Sequence, residues 1–159
     1  MKKLLLMVAV GFLGQSTLAS AATDWTPYLK PMLSGCESVR IAEGIPKKYK
    51  ASIANKKVKG NPDNEGEDII TTYTLKNATA FGQPLAKVEY LQGYEWSSTS
   101  LYFKDNKFMA LRPQFKIWKS VDDAKVVKNN ASGYELEMGG YLYLKFDKKD
   151  KSITCGSGI

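Results

Sequence analysis

The side chains able to do chemistry are few, and they lie far apart. Glu135 and Glu137 are separated by one residue in a strand-like stretch, which puts both carboxylates on one face. They are the simplest acid–base pair on offer, although a glycosidase needs its two carboxyls opposed across a cleft. Asp122 and Asp123 read as a loop or helix start. Asp63, Asn64, Glu65, Glu67 and Asp68 gather oxygen ligands, but their spacing does not match an EF-hand loop. Histidine is absent. That removes the commonest general base and metal ligand. It also excludes Ser–His and Cys–His nucleophile pairs within the chain. The chain therefore reads as non-enzymatic, without metal or cofactor.

Two cysteines, Cys36 and Cys155, form an even pair. In an oxidising compartment such a pair is bridged more often than free. The bond would join positions 119 apart. Chain entropy assigns a loop of that length about 4–5 kcal/mol at the upper end.

Aromatic residues are the feature suited to recognition. Nine tyrosines and three tryptophans are present, with Tyr90, Tyr94, Trp96, Tyr102, Tyr134, Tyr141 and Tyr143 in the β-like half. Leu142, Leu144 and Phe146 alternate with Tyr141, Tyr143 and Lys145. If the first set faces a core, the second must face away from it. Tyr102 opposes Leu101 and Phe103 by the same rule. Trp96, Tyr102, Tyr141 and Tyr143 are thus the predicted binding residues, since such rings offer rigid apolar area plus a polar handle. Lys47, Lys48, Lys50, Lys56, Lys57 and Lys59 form a basic stretch that suits anionic glycan or lipid.

These residues must be carried by something. Residues 1–21 read as a secretory signal peptide. Lys2 and Lys3 precede the apolar run Leu4 to Leu13, and Ala19-Ser20-Ala21 supplies the cleavage site. The mature chain then spans 22–159 as one α+β domain, periplasmic or secreted and bacterial, with no transmembrane segment. Without Lys2 and Lys3, 21 basic residues face 16 acids, a net +5. Nucleic acid is disfavoured by the compartment. Residues 23–34 show helical apolar spacing in Trp25, Tyr28, Leu29, Met32 and Leu33, with Pro31 able to split the helix in two. Residues 37–60 leave helix and irregular chain open. Residues 60–68 read as loop. Beyond Ile69 the pattern is β: strands over 69–75, 85–91 and 95–104, a return strand over 107–112, and a C-terminal hairpin turning at 147–150. A helix or a further strand fits within 114–130. The fold expected is a short N-terminal helix packed on a mostly antiparallel sheet of five to seven strands, pinned by one disulfide.

In size, compartment and tyrosine-rich texture the chain resembles small periplasmic inhibitors of lysozyme-like hydrolases and toxin-immunity proteins. That resemblance implies a non-catalytic binding protein with a protein partner. Two alternatives stand beside it: a small envelope hydrolase using Glu135 or Glu137, and an assembly factor binding anionic lipid or glycan through its lysines.

Overall fold

The structure, a computed structural model, describes residues 21–37, 39, 41–61, 64, 66–117 and 124–159. The predicted signal peptide lies almost wholly outside the described residues. So do Asp63, Glu65, Asp122 and Asp123.

The N-terminal segment comprises β1 (Thr23–Asp24), a single turn α1 (Thr26–Leu29) and a 3-10 turn (Lys30–Leu33). The helix expected over 23–34 is thus two short turns over 26–33, the split that Pro31 allows, and not one continuous helix. Pro31 has no N–H to give the carbonyl of residue 27, so α-helix cannot continue through it. One more short turn, α2 (Lys47–Lys50), precedes the strands β2 (Ile53–Lys59), β3 (Ile69–Ala80), β4 (Gln83–Gln92) and β5 (Trp96–Phe103). After a 3-10 segment (Asn106–Gln114) come β6 (Lys125–Asn130), β7 (Gly133–Glu137), β8 (Tyr141–Asp147) and β9 (Ser152–Gly158).

All nine strands of the described residues join one sheet in the order β1-β3-β4-β5-β9-β8-β7-β6, with β2 also paired to β3. The strand count exceeds the five to seven expected. The additions are β1, which is two residues long, and the edge strand β2, while the edge strand β6 takes the strand alternative open within 114–130. Apart from Ile53, every residue of β2 and β6 is exposed. No apolar alternation announces them, because their pairing rests on backbone hydrogen bonds. The fold is mostly β with few helical turns and one disulfide.

Two antiparallel meanders meet in this sheet, β3-β4-β5 and β6-β7-β8-β9. They join where β9 pairs with β5. The last strand of the chain therefore sits in the middle of the sheet. The β3–β4 turn is two residues long. Phe81 and Gly82 have φ of 51° and 74°, the left-handed pair that matches hairpin twist. Phe81 is held there by its N–H, which donates to Thr26 Oγ1 at 2.6 Å, and by edge contact with Phe115 at 5.6 Å.

One face of the sheet is covered. Tyr73, Val88, Leu101, Ile153 and Phe146 are level across five strands, and all are buried. Trp25, Leu29, Met32, Tyr49, Phe108 and Phe115 complete the core from outside the sheet. Phe108 stacks on Phe103 at 5.1 Å and on Phe146 at 6.1 Å. Trp25 donates its indole N–H to Ser52 Oγ at 2.9 Å. Cys36 and Cys155 are bonded at 2.02 Å, which anchors the N-terminal segment to the central strand.

The return strand expected over 107–112 is also corrected, since that stretch is 3-10 helix. Asp105 caps it by accepting from the Lys107 N–H at 2.8 Å. Phe108, Leu111 and Phe115 recur at intervals of three and four, a helical spacing that buries all three. Arg112 then fastens this segment to the β6–β7 hairpin. Its guanidinium donates to the carbonyl of Asn130 at 3.0 Å and to Asn129 Oδ1 at 2.8 Å.

Candidate binding face

The opposite face is open, and it is assembled from the alternate residues of the same strands. β5 contributes Trp96, Ser98, Ser100 and Tyr102; β8 contributes Tyr141, Tyr143 and Lys145. Between them β9 contributes Thr154, Gly156 and Gly158. Trp96, Gly158 and Tyr141 are level across the three strands, and Ser98, Gly156 and Tyr143 form the next row.

The two glycines decide how the rings lie. A Cβ on Gly156 would fall 2.5 Å from the Tyr143 ring. One on Gly158 would fall 2.7 Å from the Tyr141 ring and 2.9 Å from Trp96 Cβ. Such approaches are possible only without a side chain, so the rings rest directly on the β9 backbone. The Tyr141 and Tyr143 rings are 6.2 Å apart and inclined by 21°. They form a low aromatic platform with Trp96 at its side. Burial of the Tyr143 ring pushes its phenol pKa upward, offset in part by a hydrogen bond with Ser98.

Tyr102 shares this face but has a different setting. It lies beyond the row in which the Ser100 and Thr154 hydroxyls are hydrogen-bonded at 2.8 Å. The Lys87 ammonium sits 3.6 Å from the centre of its ring. Its hydroxyl donates to Glu89 Oε1 at 3.0 Å. The other oxygen of Glu89 accepts from Thr72 at 3.0 Å and from Lys87 at 3.2 Å. Burial, followed by the nearby Glu89 charge, pushes the Tyr102 phenol to about 12. Tyr102 is thereby tied into a polar network, whereas Trp96, Tyr141 and Tyr143 present ring surface.

All four predicted residues thus occupy one face, and three of them adjoin. Other tyrosines from the β half go elsewhere. Tyr134 is buried on the covered side, beneath the Arg112 guanidinium. Tyr90 packs against the core, and Tyr94 is exposed in the β4–β5 turn. Gly156 and Gly158 went unnoticed in the sequence reading. Their signal was glycine at every second position of a strand, which clears one face for its neighbours.

Glu135 and Glu137 do share a face, and both are exposed. Glu137 pairs with Lys125 at 3.5 Å. Among the described residues no cluster of three potential metal ligands occurs, and no helix is long and apolar enough to cross a membrane.

Comparison with protein-family models, curated proteins and solved structures finds no match.

Proposed function

We propose that this chain is a non-catalytic binding protein of the bacterial cell envelope that recognises a protein partner through the open sheet face. Trp96, Tyr141 and Tyr143 are the anchors, with Tyr102 at the margin. The observation that carries this reading is the aromatic platform on Gly156 and Gly158. Aromatic anchors dominate the energetics of protein interfaces. Rings already held in place lose little freedom on binding, which lowers the cost of association. The face also carries near-balanced charge, with Lys87 paired to Glu89 and Lys145 to Asp147. Neighbouring lysines tune the encounter and leave the contact itself to the rings. The Cys36–Cys155 bond is compatible with an oxidising compartment, periplasmic or extracellular. Inhibition of a hydrolase and neutralisation of a toxin are the two roles that fit such a surface.

Affinity capture from envelope and culture extracts, using the disulfide-bonded chain from Ala22 to Ile159, tests this reading. The expected result is one stoichiometric protein partner, lost when Tyr141→Ala and Tyr143→Ala are combined in a chain that still folds. Undiminished capture by that variant would remove the platform from the account.

A further inference from the structure

The covered face of the sheet has a margin where packing thins. Val88 and Leu101 are buried there, but Ile69, Thr71 and Tyr90, nearer the far end of β3 and β4, are only partly buried. A groove runs between this margin and the loop at 41–46. It has two adjacent parts that share Gly44, Lys56 and Tyr73 in their walls. The part beneath Ile41 measures about 240 Å³ and the part beside Lys50 about 390 Å³. Clefts for small ligands fall in the range of roughly 300–1,000 Å³.

Ile41, Ile45, Ile53, Ile69, Tyr73 and Tyr90 give apolar walls, with Thr71 and Gln92 adding polar lining. Gly44 leaves the entrance open, because a Cβ there would meet nothing within 4 Å. Among the described residues the charged side chains lining the groove are Lys50 and Lys56, both cationic. The Lys56 ammonium lies 5.7 Å from the centre of the Tyr73 ring, against the apolar wall. A trough with apolar walls and two lysines in its lining suits a ligand with an aliphatic body and an anionic end.

We infer that this groove binds a single-chain fatty acid, its chain along the isoleucines and its carboxylate at Lys56 and Lys50. The site lies on the opposite side of the sheet from Trp96, Tyr141 and Tyr143. It therefore stands or falls independently of the partner proposed for that face.

Calorimetric titration of the disulfide-bonded chain with dodecanoate, below its micellar concentration, tests the inference. Saturable one-to-one binding is expected. Lys56→Glu lies on an exposed edge strand and leaves the core intact, and it should weaken binding about tenfold or more. Thr71→Trp, which fills the groove and keeps both lysines, should abolish it. Dodecyltrimethylammonium has the same chain with a cationic head, and acetate has the head without the chain; neither should bind measurably. The inference is overturned by absence of saturable dodecanoate binding, by unchanged affinity in Lys56→Glu, or by equal affinity for the cationic amphiphile. Circular dichroism of both variants verifies the fold. Tyr141→Ala with Tyr143→Ala should leave dodecanoate affinity as in the parent chain, which separates failure of this site from failure of the open face.

Discussion

The two faces of this sheet come from alternate residues of the same strands, yet they are built on opposite terms. Leu101 and Ile153 are fully buried, and their neighbours Phe103 and Phe146 sandwich Phe108. On the other face of the same strands, Tyr102 meets Lys87 and Glu89, and Gly156 offers its bare backbone to Tyr143. The covered face gains from removing apolar surface from water. The open face holds its rings by resting them on glycine or tying them to charges. Substitutions on the first should therefore act on stability, and those on the second on ring placement and recognition.

The sharpest way to break that contrast is to open a cavity in the covered face. Phe108→Ala should cost about 3–5 kcal/mol of unfolding free energy, the usual range for a buried phenylalanine. Urea denaturation measures it. A loss well below 1 kcal/mol would mean that the stacked phenylalanines do not hold the core. Replacing both Cys36 and Cys155 with serine should cost about 2–5 kcal/mol, through loss of the tether between the N-terminal segment and β9. The aromatic platform of the open face should survive it in the refolded chain.

A smaller effect on stability is expected from Gly156→Ala, about 1 kcal/mol or less. Its new methyl group meets the Tyr143 ring and must lift it. Partner capture should fall as it does in Tyr143→Ala while the melting temperature barely moves. Equal capture by Gly156→Ala and the parent chain would deny the glycine floor its role.

The finest comparison is between two tyrosines displaced to about 12 for different reasons. Tyr134 is raised chiefly by burial on the covered side, against a lowering influence from Arg112. Tyr102 is raised by burial and then by Glu89. Glu89→Gln should bring the Tyr102 titration back toward its ordinary 10 and leave Tyr134 near 12, as followed by ultraviolet phenolate absorbance in single-tyrosine variants. The sign for stability follows. Each raised phenol favours the folded state fully below pH 10, and the contribution is lost as pH rises through about 12. Alkaline unfolding should therefore set in above pH 10, and Glu89→Gln should reduce the share due to Tyr102.

Much of the β architecture was legible locally. Period-two alternation placed Leu142, Leu144 and Phe146 opposite Tyr141 and Tyr143, and β8 buries Leu144 and Phe146, exposes Tyr141 and leaves Leu142 and Tyr143 half-buried. The cysteine count anticipated the bond between Cys36 and Cys155. The N-terminal helix is two short turns, as Pro31 allows, whereas 107–112 imitates a strand because a 3-10 segment buries apolar residues without a full α-helical period. Edge strands β2 and β6 left no burial pattern at all.

The sequence by itself determined which side chains share a strand face, because the pleat turns every second residue the same way. It also determined the disulfide pairing, because two cysteines admit one bridge. Only the tertiary structure decided that the last strand lies between β5 and β8, with Gly156 and Gly158 beneath rings from both neighbours. Strand order is set by pairings between segments some fifty residues apart, such as Thr99 with Cys155. Their energy lies in backbone hydrogen bonds and packing that no local pattern encodes.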